Sequence, residues 1–183
     1  MKRLLQLTLA TMQSGAPSSS SLASEEMILQ VVAAVIERPD RRLLIGQRRA
    51  HDSSPLKWEF PGGKVEAGES PEQALARELR EELGATLRRA APIASIEYEY
   101  PNRSPLKISF FAAEVEPEEL QPTAFRQIVW ALPRELADYD FLPANLRLVA
   151  ELATGRIKPG ELLAASTGNV RLSSINGPDT QGA

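Results

Sequence analysis

Residues Gly63 to Ala85 read GKVEAGESPEQALARELREELGA, and this stretch decides the fold. Ser70 followed three residues later by Gln73 makes a capping-box start, Pro71 suits the first helical turn, and Gly84 suits the residue just past a helix end. These signals predict a helix of about four turns. Leu75, Leu79 and Leu83 recur at helical spacing and form its buried stripe. Glu78, Glu81 and Glu82 stand at i, i+3 and i+4, so three carboxylates lie along one side of the same helix, turned away from that stripe. A solvated charged face is the ordinary explanation of such a row. Here the row sits beside Phe60, Pro61, Gly62 and Gly63, whose glycines let backbone come close to a ligand. Crowded carboxylates are relieved by a cation, and oxygen-only ligands suit Mg²⁺ or Mn²⁺ better than zinc.

The succession Gly63, Glu69, Arg77, Glu78, Leu79, Glu81, Glu82 and Gly84 resembles, in register, the signature box of the Nudix hydrolase family. Ala85 departs from it, being smaller than the Ile, Leu or Val usual at the closing position, which touches local packing rather than chemistry. The resemblance runs from roughly Met27 to Leu152 and is to the MutT-like branch, the sanitizing diphosphatases of oxidised nucleoside triphosphates. It implies an α/β fold, an α/β/α sandwich with a mixed β-sheet between helices. It further implies Mg²⁺-dependent hydrolysis (Mn²⁺ as an alternative) of a modified purine nucleoside triphosphate, 8-oxo-dGTP first, to the monophosphate and pyrophosphate. Pyrimidine nucleoside triphosphates or ADP-ribose remain open as substrates, as does a weakly catalytic nucleotide-sensing module.

By the same resemblance Glu78, Glu81 and Glu82 are metal ligands, Gly62 or its neighbour adds a backbone carbonyl, Arg77 braces a carboxylate, and Glu69 supports the set. Arg48 and Arg49 leave a strand toward the same mouth, and Arg49 matches the position that contacts substrate phosphate. Phe60 could pack in the core or lie against a base, and the resemblance favours the base. Asn145, in the stretch Phe141 to Asn145, matches an asparagine that reads a purine edge, an amide being able to donate and accept at once. Asn145 is also a good helix N-cap before LRLVAEL. MutT-like enzymes carry an additional glutamate near the position of Trp130, whereas Thr123 to Val129 contains no carboxylate. Glu97, Glu99 and Glu114 are candidate substitutes.

A chain of 183 residues with 43% hydrophobic content supports one good core. Its net charge of -3 and pI near 5.4 make a nucleic-acid polymer an unsuited partner while leaving a small nucleotide compatible. No cysteine is present, which excludes disulfides and thiolate chemistry and fits a cytoplasmic location. The sole histidine, His51, falls in the polar stretch HDSSP and reads as a surface loop residue. A monomer is expected.

Residues 1–26 pass from a short apolar run, LLQLTLATM, into SGAPSSSSLAS and read as a disordered extension rather than a signal peptide. The catalytic domain is expected over 27–158 and a flexible tail over 159–183. Ile28 to Glu37 reads as a buried strand with Arg42 to Gln47 as its partner across the turn ERPDR. Ile93 to Tyr100 and Lys107 to Val115 read as a pair joined over PNRSP. Gln127 to Ala131 reads as a short strand, Pro133 to Ala137 as a turn of helix, and Ala144 to Thr154 as the closing helix. No stretch approaches the roughly 20 apolar residues that a membrane span needs.

Overall fold

Strand β1, Leu29–Ile36, is apolar on both faces because helices cover both. Its even-numbered side chains Val32, Ala34 and Ile36 enter one core with Leu75, Leu79 and Leu83, while Ala33 and Val35 enter a second core with Leu148, Val149 and Leu152. The computed structural model describes residues 28–101, 104–116 and 120–166. Its further elements are β2 (Leu43–Gln47), β3 (Trp58–Glu59), α1 (Pro71–Leu83), β4 (Leu87–Tyr98), β5 (Leu106–Val115), β6 (Gln127–Ala131), short 3₁₀ turns at Pro133–Asp138 and Pro143–Asn145, α2 (Leu146–Ala153) and α3 (Pro159–Ala165). The expected α/β/α layering is present, with α1 on one side of β1 and α2 on the other.

The strands divide into two sheets of three, ordered β1-β5-β4 and β3-β2-β6. β5 lies parallel to β1 with Val31 opposite Ile108, and antiparallel to β4 with Ile96 opposite Ile108, so the first sheet is mixed. β2 is flanked antiparallel by β3 and β6. The expected pairing of Ile28–Glu37 with Arg42–Gln47 is therefore corrected: β1 and β2 share only the bridge Glu37–Leu43 and belong to different sheets. The reason is competition for the edge of β1. Beyond β5, that strand's other edge is occupied by the glycine loop, where Ala34 N–H donates to Pro61 O at 2.8 Å, Val32 N–H to Gly63 O at 2.8 Å, and Val65 N–H to Gln30 O at 3.0 Å.

α1 begins and ends where its sequence signals place it. The Ser70 hydroxyl accepts from Gln73 N–H at 3.2 Å and the Gln73 side chain accepts from Ser70 N–H at 2.7 Å, while Gly84 closes the helix in the left-handed region at φ 65°. Leu75, Leu79 and Leu83 are fully buried.

The domain does not stop at residue 158. α3 packs against β4 and β5, and Glu37 anchors its first turn by accepting from Gly160 N–H at 2.7 Å while pairing with Arg41 at 2.8 Å. At seven residues α3 is too short to show a helical period, which is why 159–165 reads as tail. The expected extension over 1–26 and the remainder of the tail, 167–183, lie outside the described residues. Among the described residues no helix is long and apolar enough to cross a membrane.

Candidate active site

The loop Phe60–Gly63 lies between β1 and α1, with backbone of β1 against Gly62 and the Glu78 carboxylate against Gly63. A Cβ at Gly62, whose φ is 148°, would collide with the Val32 carbonyl oxygen; a Cβ at Gly63 would collide with the Glu78 carboxylate. The acidic row of α1 is thereby held against backbone. Gly62 N–H donates to Glu82 Oε2 at 2.8 Å. Pro61 O and Gly63 O are taken by amides of β1.

Arg77 is the hub of the row. Its guanidinium donates to Glu69 Oε1 at 2.8 Å, Glu78 Oε1 at 2.9 Å, Glu81 Oε2 at 3.4 Å and the Lys64 carbonyl at 2.8 Å. The Arg77 hydrogen bonds, and a further one from Glu66 N–H, hold the Glu69 carboxyl below its usual range. Glu82 lies beyond this hub. Burial pushes its carboxyl up to about 8, the Gly62 N–H only partly opposes that, and the charges of Glu59 and Glu78 add to it.

As they stand, the three carboxylates are not gathered into a ligand set: among the described residues no three acidic or histidine side chains converge on one point. Glu78 and Glu81 are engaged by Arg77, and Glu82 by the Gly62 amide. Gly62 presents its N–H to Glu82, and the loop carbonyls taken by β1 are those of Pro61 and Gly63, not its own. The chemistry of the donors still fits a hard divalent cation. They are carboxylate oxygens only, and Glu82 is a buried acid beside two like charges whose ionisation a nearby cation would favour.

Glu59, absent from the sequence-based candidates, is the carboxylate that faces Glu82. It accepts from Arg48 Nη1 with both oxygens, at 2.8 and 3.0 Å. Burial raises its carboxyl and the Arg48 charge opposes the shift. A single charged residue inside the buried run Trp58 to Phe60 was the available signal. Glu97 on β4 and Glu99 just beyond it are exposed, and Glu114 pairs with Arg89.

A cleft of about 260 Å³ opens beside the loop, lined by Arg48, Ser54, Glu59, Phe60, Gly62 and Asn145 among others. Asn145 is 4% exposed, and its side chain caps no helix. Its Oδ1 meets Phe60 N–H at a long 3.5 Å. Among the described residues Nδ2 has no protein partner, yet no buried side-chain nitrogen or oxygen is left unsatisfied, so Nδ2 is reached from the cleft. Phe60, expected to lie against a base, is only 3% exposed and packs on Phe141 at 5.5 Å and edge-on to Phe110 at 6.3 Å between ring centroids. Its ring belongs to the core and offers no free stacking face.

The two arginines part company. Arg48 lines the cleft, whereas Arg49 donates to the Thr123 carbonyl, next to the C-terminal end of α1 where Thr123 N–H meets Glu82 O at 2.9 Å. His51 is exposed as expected. A larger cavity of about 860 Å³ lies where Ile36, Trp130 and Leu163 meet, with the Arg38 guanidinium 3.8 Å from the Trp130 ring centroid. Neither the acidic row nor Asn145 lines it, so its size does not make it the reactive centre.

Comparison with known proteins places the chain in a family. The NUDIX domain model matches residues 27–153. A CTP pyrophosphohydrolase of Escherichia coli K12 is 38% identical over 138 residues, covering 73% of this chain and 98% of that protein. An 8-oxo-dGTP diphosphatase of the same organism is 37% identical over 129 residues, covering 68% and 95%. Among solved structures, a MutT from a study of the Aliivibrio salmonicida and Vibrio cholerae proteins superposes with a TM-score of 0.60 at 31% identity, covering 70% of this chain and 99% of its own. The E. coli ORF135 protein does so with a TM-score of 0.63 at 34% identity, covering 82% and 100%. The chain belongs to the Nudix family, and it is a Nudix pyrophosphohydrolase.

Proposed function

We propose that this protein hydrolyses a modified purine nucleoside triphosphate, 8-oxo-dGTP foremost, to the nucleoside monophosphate and pyrophosphate, and so keeps oxidised bases out of the nucleotide pool. The observation that carries the base assignment is the buried Asn145 amide, spent on no helix cap and open to the cleft through Nδ2. An amide so placed can donate to and accept from one base edge, and burial makes the recognition costly for a base that leaves it unpaired.

Glu78, Glu81 and Glu82 would hold Mg²⁺ (or Mn²⁺), which when bound neutralises phosphate charge and polarises the anhydride. Arg77 keeps Glu78 and Glu81 on one side of α1 through its bonds at 2.9 and 3.4 Å. Arg49, whose guanidinium lies beside the C-terminal end of α1, offers a cation to phosphate oxygens, and Phe60 helps to line the cleft. Water is added across one anhydride bond, and the nucleoside monophosphate and pyrophosphate separate. A second reading, a pyrimidine nucleoside triphosphate as substrate, is favoured by the 38% identity to a CTP pyrophosphohydrolase that is matched over 98% of its length.

The test is selectivity. Asn145→Ala should lower kcat/KM for 8-oxo-dGTP by about tenfold or more relative to dGTP and CTP, the scale of one lost bidentate contact. An unchanged ratio alongside a lowered Tm would make Asn145 a packing residue and move the assignment to the pyrimidine reading.

A further inference from the structure

Arg48 uses its guanidinium on two elements at once. Nη1 donates to Glu59 on β3 at 2.8 and 3.0 Å, while Nε donates to the Ser53 carbonyl at 2.9 Å and Nη2 to the Ser53 hydroxyl at 3.2 Å. The side chain is largely enclosed, at 22% exposure, and so is Glu59, at 17%. Ser53 belongs to the connection from β2 to β3, and with Ser54 it lines the same cleft as Asn145.

That connection is held in a demanding conformation. Ser54 at φ 62° and Leu56 at φ 60° are both left-handed without being glycine, a state that side chains adopt only when their surroundings impose it. Arg49 N–H closes on Asp52 Oδ2 at 2.8 Å, and Gln47 Nε2 donates to Leu56 O at 3.0 Å. These bonds fix the two ends of the connection. Among the described residues only Arg48 ties its middle, at Ser53, to β3.

We propose that Arg48 is a positioning residue that pins the Ser53–Ser54 segment to Glu59 and so preforms the wall of the nucleoside cleft opposite the reading residue Asn145. Preforming a wall removes an ordering cost from binding, so the effect falls on substrate affinity and not on the chemical step. The inference rests on the proposed nucleotide hydrolysis, but not on which base is preferred. The planar fork meets Glu59, the Ser53 carbonyl and the Ser53 hydroxyl from three separate nitrogens, an arrangement that the single nitrogen of an ammonium does not reproduce.

The decisive variant is Arg48→Lys, which keeps a positive charge beside Glu59 and gives up the fork. Kinetics are measured with whichever nucleoside triphosphate the wild-type protein turns over fastest, so that an error in substrate assignment shows in that panel and leaves this test standing. KM should rise about tenfold, the scale of one or two lost hydrogen bonds, with kcat within about threefold of wild type. Amide hydrogen exchange over residues 50–57 should quicken while exchange in α1 stays unchanged. An unchanged KM despite faster exchange, or a fall in kcat at constant KM, overturns the proposal. Should Arg48→Lys fail to fold, the wild-type protein decides: a Mg²⁺ complex of an analogue with a methylene between the α and β phosphorus atoms should slow exchange over 50–57, and no slowing there overturns it as well.

Discussion

Glu82 is pulled in two directions, because folding buries its carboxyl beside Glu59 and Glu78 while the proposed chemistry needs it ionised. Its folded pKa, about 8, stands above its ordinary value of 4.5. The folded state therefore binds the proton more tightly than the unfolded chain. That contribution to stability is fully present below about pH 4.5 and is lost as pH rises through about 8. At about 1.4 kcal/mol per pKa unit, the metal-free protein should lose on the order of 10 °C in Tm between pH 5 and pH 8.5 through this group. Glu82→Gln, measured by thermal melts across that range, should flatten the slope, and Mg²⁺ at pH 8 should raise the wild-type Tm more than that of the variant. Equal slopes would mean that Glu82 titrates normally. Of this site, the sequence made Arg77 and the three glutamates legible because they share one helix with fixed spacing. That Arg48 leaves its strand toward the mouth was legible, but Glu59 and its bond to Arg48 were not, since they depend on which way a two-residue strand turns its side chains. Phe60 misled for a related reason: an aromatic beside glycines looks available until Phe110 and Phe141 are seen to enclose it.

Among the elements, α1 was readable to the residue because its start and stop are chemical signals local to the chain: Ser70 and Gln73 bond reciprocally, and Gly84 takes the left-handed turn. β1 and β2 were readable as strands but not as to partner. Pairing is decided by competition, and the Pro61–Val65 stretch and β5 occupy both edges of β1. α3 was missed altogether, its seven residues carrying Pro159 at the start and Leu162 and Leu163 inside, too little for a period to emerge. Its contacts make a prediction. A chain spanning 27–166 should keep wild-type activity, whereas one ending at Lys158 strips the cover from β4 and β5 and leaves Glu37 without the Gly160 amide. The shorter chain should melt lower by roughly 5 °C or more, on the scale of one or two kcal/mol in a domain of this size. Indistinguishable melts would show α3 to be an ornament of the fold.

At the scale of the molecule, β1 serves two cores at once, and this double burial ties the acidic helix to the cleft. Val32 and Ala34 pack toward α1, Ala33 and Val35 toward α2, and the glycine loop between the carboxylates and Asn145 is pinned to the edge of that strand. The layering followed from the succession of strands and helices, but the division into two sheets did not, because no local feature records where a sheet ends. The central claim is that the acidic row of α1 works through a divalent cation on a nucleoside triphosphate. It is tested by incubating the wild-type protein, Glu81→Gln and Glu82→Gln with 8-oxo-dGTP, dGTP and CTP at saturating Mg²⁺ and measuring the release of monophosphate and pyrophosphate. The account predicts wild-type turnover to those two products and a loss on the order of 100-fold or more in each variant, the scale of one strong electrostatic stabiliser, with the fold intact by circular dichroism. Wild-type turnover in both variants would contradict it.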